Sequence, residues 1–168
     1  VWFGPLSAFI VHKLTGNPFV DHTVAGRSQL MNIADLTWDD ALCTLFNVNQ
    51  SSLPFIVPTM GLFGQIKPWG LPLNCVIGDQ QSALIGQGGI AAGSLAFNFG
   101  TSASVLLHSG NTPNHNEGLL NNVLFSNGSE IHYLTEGSIN TCNSLFYWLE
   151  NELKIPHNEM QWDKRCAK

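Results

Sequence analysis

The sequence LNCVIGDQQSALIGQ, residues 73–87, decides the fold because an apolar run leads through a glycine into a helix-like segment. Residues 73–77 predict a fully buried central strand, and residues 79–87 predict a helix that begins directly after Gly78. Ligands of open α/β sheets bind in the crevice beyond the ends of such strands. The stretch therefore predicts an α/β fold with a ligand site at this turn.

Asp79 is the strongest candidate for chemistry in the chain. It is the only carboxylate between residues 41 and 116, and it stands where the predicted buried strand ends. An ionised carboxylate in such a place costs free energy unless the site uses it. The alternative is that Asp79 only caps the helix that follows, since aspartate is a favoured N-cap residue. The local pattern leaves both interpretations open.

The spacing of apolar residues predicts the other elements. Helices are expected at residues 5–14, 38–46 and 139–153, the last with Trp148 on its buried side. Further short strands are expected at residues 63–69, 95–99, 105–108, 119–125 and 131–134. The last four strands would form the antiparallel beginning of a second unit. The small-residue segment at residues 86–93 would join the two units as a hinge.

The helix at residues 38–46 carries specific expectations. Thr37 is its expected cap, and the expected buried stripe consists of Leu42, Leu45 and Phe46. Asp39 and Asp40 lie in the first turn, where the helix dipole favours negative charge. We therefore interpret these two acids as structural rather than catalytic.

Composition restricts the classes of partner. Charged residues make up 11% of the chain, far below the roughly 25% of a typical soluble domain, so we expect further polypeptide to cover part of this surface. Lys67 is the only Lys or Arg between residues 28 and 153, which leaves no basic patch for nucleic acid. No apolar run approaches the roughly 18 residues of a membrane span. The sequence thus predicts a piece of a longer soluble protein without nucleic-acid or membrane partners, and it leaves homo-oligomer formation open.

The spacing of cysteine and histidine predicts neither disulfides nor a metal site. The four cysteines are widely separated and form no C-x-x-C pair, and the six histidines show no paired metal-ligand spacing. A reducing cytoplasm is therefore the expected location.

A second motif, Gly100-Thr101-Ser102, joins two of the predicted strands. A glycine allows the backbone to turn tightly, and backbone amides with two hydroxyls supply donors that a phosphate can use. An ordinary hairpin explains the same residues when they are considered alone. The presence of Asp79 about twenty residues earlier strengthens the phosphate interpretation, since phosphoryl transfer needs both a base and a phosphate contact.

Several strings together resemble the central region of the FGGY carbohydrate kinases, most of all the glycerol kinases. The most specific is GDQQSALIGQ at residues 78–87, and it is followed by FGTS at residues 99–102 and EGS at residues 136–138. The segment DHTVAGRS at residues 21–28 also falls in the expected order. The resemblance covers most of the chain.

The resemblance implies a two-lobed actin-like ATPase fold of the RNase H-like kind. Residues 1–88 would be the end of the first, substrate-binding lobe, which carries the catalytic aspartate, and residues 89–168 would be the beginning of the second, nucleotide-binding lobe. The sugar or polyol and the nucleotide would meet in the cleft between the lobes of the whole kinase.

The resemblance also implies roles for individual residues. Asp79 would be the general base and would contact the substrate, and Gln80 would hydrogen-bond another substrate hydroxyl. Gly100 and Thr101 would contact the terminal phosphates of ATP, which Mg²⁺ would accompany, and Asn143 would contact the nucleotide more weakly. The implied partners are a small polyol or sugar and ATP.

The chain departs from the glycerol kinase pattern after the Gly-Thr turn. Ser102, Ala103 and Ser104 stand where those kinases have Gly, Cys and Phe, and Asn143 and Tyr147 stand where they have Gly and Gln. A serine in place of a phenylalanine predicts a larger and more polar substrate pocket. A longer polyol or a ketose, of the xylulose, ribulose or sedoheptulose type, is therefore an alternative substrate to glycerol.

Two alternatives from other classes remain. A non-catalytic sugar-binding homologue would explain the same departures, and an actin-like ATPase with a mechanical or chaperone role would share the hairpin. The pair Asp79-Gln80 favours the kinase over the second of these. Since the first phosphate loop and the adenine site of the family are not in this sequence, the chain alone is expected to be inactive.

Overall fold

The computed structural model describes residues 2–155, which form five α-helices and ten strands. The helices are α1 (Leu6–Thr15), α2 (His22–Arg27), α3 (Asp40–Leu45), α4 (Asp79–Gly86) and α5 (Ser144–Asn151). The first six strands are β1 (Phe19–Asp21), β2 (Met31–Asn32), β3 (Thr37–Trp38), β4 (Phe55–Val57), β5 (Met60–Ile66) and β6 (Leu71–Cys75). The remaining strands are β7 (Leu95–Phe99), β8 (Ala103–Gly110), β9 (Leu120–Ser126) and β10 (Ile131–Ile139). None of the helices in this part of the chain is long and apolar enough to cross a membrane.

The chain divides into two compact units. The first contains the chain up to Ala96 together with Leu106–Glu136, and the second contains Phe97–Val105 and the chain from Gly137 onward. The division of the sequence at residue 88 into two kinase domains stays a prediction, and residues 156–168 of the second predicted domain lie outside the described residues. The segment at residues 86–93 connects α4 to β7, and its role as a hinge also stays a prediction.

Four small sheets organise the strands. β1 and β4 pair in parallel, with Asp21 opposite Val57, whereas β2 pairs with β3 and β5 pairs with β6 in antiparallel fashion. The largest sheet has the order β7-β8-β10-β9, and β9 and β10 are antiparallel. The strands expected between residues 95 and 134 are therefore confirmed.

The core of the first unit consists of three clusters of buried apolar side chains. One lies between α1, α2 and β9 and includes Val20, Ala25 and Val123. A second joins α4 to the large sheet through Leu84, Leu106, Leu124 and Leu134. A third, around Cys43, packs α3 against Leu30 and Leu53. The second cluster fixes the inner face of α4 and so holds the helix that begins with Asp79.

Two expectations about helices are wrong in detail. Thr37 and Trp38 form β3, and the cap of α3 is Asp39, whose carboxylate accepts a hydrogen bond from the Leu42 amide at 2.9 Å. Leu45 is 73% exposed, because α3 has one turn and a half and turns only Cys43 fully inward. The structural interpretation of Asp39 is confirmed.

The helix expected at residues 139–153 is shorter than predicted. Ile139 ends β10, and α5 begins only at Ser144. None of its residues is fully buried, and Trp148 is half exposed. Apolar spacing alone does not show whether a partner surface exists for a helix face.

The strand before Asp79 is also different from the prediction. Residues 71–75 form β6, which pairs only with β5 in a hairpin and is largely exposed, so it is neither central nor fully buried. Val76 and Ile77 lie beyond the strand and are half-buried. A short apolar run has the same composition in a buried parallel strand and in a hairpin, so its sequence does not separate the two.

Candidate active site

Asp79 is the first residue of α4, and its side chain is exposed. The residue in the N-cap position is Gly78, so the interpretation of Asp79 as the cap itself is not the observed geometry. One carboxylate oxygen of Asp79 accepts a hydrogen bond from the Gln80 amide at 2.8 Å, and its backbone oxygen accepts one from the Ser82 hydroxyl at 2.8 Å. The helix N-terminus favours the negative charge, and the exposed position leaves the carboxylate accessible to a ligand.

The two glutamines after Asp79 differ in their surroundings. Gln80 is half-buried, whereas Gln81 is 1% exposed and donates from its side-chain amide to the Val123 carbonyl at 3.3 Å. Gln81 thus attaches the first turn of α4 to β9. Sequence analysis assigned a role to Gln80 and none to Gln81, because the inward direction of Gln81 depends on the contact with β9.

The turn that precedes Asp79 is held by α2. The Gly78 amide donates to the Thr23 hydroxyl at 2.9 Å, and the Thr23 hydroxyl donates to the Asp21 carboxylate at 2.5 Å. Asp21 also caps α2 by accepting hydrogen bonds from the amides of Thr23 and Val24. Only residues 76 and 77 separate this attachment from the end of β6. The side chain of Thr23, which is 55 positions earlier in the chain, therefore helps to position the turn.

Buried polar groups extend this arrangement behind the turn. Thr59 donates from its hydroxyl toward Asp21 at 3.4 Å and from its amide to the Ser126 hydroxyl at 3.1 Å. Ser126 in turn lies 2.6 Å from Nδ1 of His22. Burial raises the pKa of the Asp21 carboxyl, although its hydrogen bonds with Thr23, Val24 and Thr59 act in the opposite direction. Burial lowers the pKa of His22.

The polar group around Asp21 was missed as a site feature. Asp21 stands at the end of a strand, and Thr23 follows two positions later. This pattern is typical of a helix N-cap, so the sequence did contain a local signal for the cap. No local signal connects Thr23 to Gly78, since the two residues are 55 positions apart.

The Gly100-Thr101-Ser102 motif forms the connection between β7 and β8, in the second unit. The Gly100 amide donates to the Ser102 carbonyl at 2.8 Å, so this amide is used inside the turn. The predicted hairpin is therefore present, and Thr101 at its tip is exposed.

The beginning of α5 rests on this turn. The amides of Cys142 and Asn143 donate to the carbonyls of Thr101 and Gly100, each at 3.0 Å, and the Ser144 hydroxyl donates to the Thr101 carbonyl at 3.1 Å. These bonds place Asn143 beside the turn at the N-cap position of α5. Three of the predicted site residues, Gly100, Thr101 and Asn143, are thus neighbours within the second unit.

A methyl group at Gly100 would meet only the Ser102 carbonyl oxygen, at an ordinary contact distance of 3.5 Å. The backbone of Gly100 does not have the left-handed conformation that favours glycine. The fold therefore does not require glycine at this position, and close approach of a ligand is an alternative reason for its presence.

The predicted site residues form two groups, one in each compact unit. Asp79 and Gln80 are adjacent in the first unit, and the Gly100 group belongs to the second. Within residues 2–155, no cluster of three or more His, Cys, Asp or Glu side chains has the arrangement of a metal site. The first group carries a carboxylate and an amide, and the second carries a hydroxyl and an amide.

Comparison with known proteins decides the family. Residues 2–86, about half of the chain, match the N-terminal domain of the FGGY family of carbohydrate kinases. The chain belongs to this family. A glycerol kinase of Thermococcus gammatolerans is 32% identical over 172 residues, which cover 100% of this chain and 35% of the relative. The chain thus spans about a third of the length of the curated relatives it matches.

Solved structures of two kinases confirm the predicted fold class. The crystal structure of Plasmodium falciparum glycerol kinase with ADP matches with a TM-score of 0.87 and 32% identity, covering 95% of this chain and 34% of that chain. A ligand-bound xylulose kinase from Lactobacillus acidophilus matches with a TM-score of 0.74 and 23% identity, covering 87% of this chain and 31% of that chain, and it supports the fold alone. The α/β actin-like ATPase fold, of which this chain carries a part, is confirmed.

Proposed function

We propose that this chain is a segment of an ATP-dependent kinase that phosphorylates a hydroxyl group of a polyol or sugar. The observation that carries the proposal is the exposed carboxylate of Asp79 on the first residue of α4, in a turn attached to the buried Asp21-Thr23 pair. Membership of the FGGY family and this geometry together support a role for Asp79 as a general base that the substrate can reach and that the fold holds in position.

In the proposed reaction, Asp79 accepts the proton of the acceptor hydroxyl as that oxygen attacks the terminal phosphorus of ATP, the bond from this phosphorus to the bridging oxygen breaks, and ADP leaves. Phosphoryl transfer passes through a loose transition state, so the protein contributes chiefly by positioning the reactants and by stabilising charge. Asp79 must therefore lie about 3 Å from the hydroxyl. Gln80 would hydrogen-bond a second hydroxyl of the same substrate and so orient the first.

The nucleotide would be contacted by Gly100, Thr101 and, more weakly, Asn143. Three observations fit this role: Thr101 is exposed, its carbonyl rather than its side chain holds α5, and the fold does not require glycine at position 100. The Plasmodium falciparum relative was solved with ADP, which supports use of ATP by this kinase. Mg²⁺ bound with ATP would neutralise charge on the phosphates.

The acceptor is proposed as glycerol or a longer polyol or ketose. The glycerol kinase relatives support glycerol. Ser104, the second residue of β8, is half-buried and is smaller than the phenylalanine that the resemblance implies, which supports a longer acceptor. The proposal includes a cytoplasmic location, supported by the free thiols of Cys43, Cys75 and Cys142 within residues 2–155.

The test is a coupled ADP-release assay of the complete kinase with ATP and Mg²⁺ against glycerol, erythritol, xylitol, xylulose, ribulose and sedoheptulose. Asp79→Asn should lower kcat with the best acceptor by about a hundredfold or more while the Kd for ATP changes less than about twofold, because the base is lost and the shape is kept. The matched control is Asp40→Asn, since Asp40 is also an exposed first residue of a helix. Turnover that is unchanged in Asp79→Asn, or absent with every acceptor, would overturn the proposal.

A further inference from the structure

The Thr23 hydroxyl lies between a buried carboxylate and the backbone amide that precedes Asp79. Its oxygen is 2.5 Å from Oδ2 of Asp21 and 2.9 Å from the Gly78 nitrogen. Both Asp21 and Thr23 are completely buried. Water therefore does not compete for these bonds, and each polar group depends on the partner that the fold supplies.

The direction of both hydrogen bonds follows from the groups involved. A hydroxyl has one hydrogen to donate, and an ionised carboxylate can only accept, so the Thr23 hydrogen points to Asp21. The Gly78 amide can only donate, and it meets a lone pair of the same oxygen. A hydrogen bond to a carboxylate polarises the hydroxyl and makes its oxygen a better acceptor for the amide.

The backbone amide and the backbone carbonyl of Thr23 are both hydrogen-bonded to side chains. Its amide donates to Asp21 at 2.9 Å, and its carbonyl accepts from the side chain of Asn122 in β9 at 2.9 Å. The hydroxyl is thus presented from a rigid support, and it determines where the Gly78 amide can stand.

Because Gly78 directly precedes Asp79, the position of the Gly78 amide also restricts the position of Asp79. The Gly78 backbone is extended, with φ −67° and ψ 156°, and it leads directly into the first residue of α4. A side chain at Gly78 would meet Oε1 of Gln81 at 2.5 Å, so Gln81 would have to move to admit one. The only side-chain hydrogen bond to the Gly78 amide is that of Thr23, among the bonds that the structure describes.

We propose that Thr23 is a positioning residue for Asp79, which it holds in place by binding the Gly78 amide. This inference rests on the proposed function, because it assigns to Thr23 a part in the reaction of Asp79. Loss of the hydroxyl leaves the Gly78 amide and the Asp21 carboxylate each without one partner, and the turn moves. A displacement of about 1 Å of a catalytic group can lower a rate by about a hundredfold.

The experiment compares Thr23→Val, Thr23→Ser and Thr135→Val in the complete kinase. Valine keeps the shape of threonine and removes the hydroxyl, whereas serine keeps the hydroxyl. Thr135 is the matched control, since it is a buried threonine of the same unit whose hydroxyl bonds to the side chains of Ser109, Asn116 and Asn121, none of which belongs to the turn at Asp79. We measure kcat and KM with the best acceptor, the Kd for ATP and the denaturation midpoint of each variant.

We expect Thr23→Val to lower kcat by about ten- to a hundredfold with the Kd for ATP unchanged, and Thr23→Ser to recover most of that loss. Thr135→Val should lower the denaturation midpoint by about as much as Thr23→Val does, because each change removes one buried hydroxyl. It should keep kcat within about twofold of the parent. Equal kcat for Thr23→Val and Thr135→Val would overturn the inference, as would a serine variant no faster than the valine variant. If Asp79→Asn retains full activity, the proposed function fails instead, and the two failures are therefore distinguishable.

Discussion

Gly100 is a glycine that the fold itself does not require. An added methyl group would have space, and the backbone conformation is open to any residue. We predict that Gly100→Ala changes the free energy of unfolding by less than about 0.5 kcal/mol, as expected for an unconstrained position. If Gly100 contacts the phosphates as proposed, the same variant should weaken the affinity for ATP by about tenfold, because the methyl group would occupy space beside them.

Calorimetric titration with ATP and urea denaturation check this prediction on the same samples. Gly89→Ala is the contrasting variant, since a methyl group there would overlap the side chain of Leu84 and lie 2.7 Å from its carbonyl oxygen. It should destabilise the fold without a direct effect on ATP. If Gly100→Ala binds ATP as the parent does, the phosphate contact assigned to Gly100 is wrong.

At the scale of elements, an ion pair connects α2 to β10. Arg27 at the end of α2 and Glu136 in β10 approach to 2.5 Å, and Glu136 is almost completely buried. Removal of the charge of a buried partner leaves the other charge poorly compensated. We predict that Glu136→Gln lowers the free energy of unfolding by about 1–3 kcal/mol, a range reduced because Arg27 is one-third exposed.

The matched control for this prediction is Glu130→Gln, which makes the same change just before the same strand. Glu130 is largely exposed and lies 3.9 Å from His132, so its loss should cost less than about 0.5 kcal/mol. Urea denaturation of both variants gives the comparison. Equal costs would mean that the Arg27 contact contributes little to the attachment of α2.

The elements also show which parts of the fold a sequence can predict. Gly16 at the end of α1, the turn at residues 127–128 and the glycine before Asp79 are local signals, and the elements α1, β9, β10 and α4 that they bound were predicted. The exposed hairpin position of β6 and the exposed face of α5 depend on which surfaces meet, and a local pattern does not contain that information.

The same division applies to the candidate site. Short local motifs identified Asp79, Gln80 and the Gly-Thr-Ser turn as candidates. The structure places them at the ends of helices and strands, as predicted. Their catalytic and binding roles stay predictions. The partners Thr23 and Gln81 were missed because each acts through a residue more than 40 positions away.

At the scale of the whole molecule, the buried core is unequally distributed. The first unit contains all three clusters of buried side chains, whereas Ala103 is the only fully buried residue in the described part of the second unit. We predict that Leu84→Ala in α4 lowers the free energy of unfolding by about 2–5 kcal/mol, since it leaves a cavity in a closed cluster.

The same substitution in α5, Leu145→Ala, is the control, because Leu145 is 45% exposed. It should cost less than about 1 kcal/mol. Urea denaturation curves of this chain with each change measure the difference. A loss for Leu145→Ala as large as that for Leu84→Ala would contradict the unequal distribution.

The contacts of α2 have a consequence for the order in which the protein is made. His22 and Thr23 find partners at Ser126 and Asn122, which lie 104 and 99 positions later in the chain. A ribosome adds about 5–20 residues per second, so the His22 side chain and the Thr23 carbonyl group remain without these partners for on the order of 5 to 20 s. During that interval α2 lacks its support on β9. A chain that ended before Asn122 would therefore contain Asp79 but would lack the bond that holds the Thr23 backbone to β9 behind the turn.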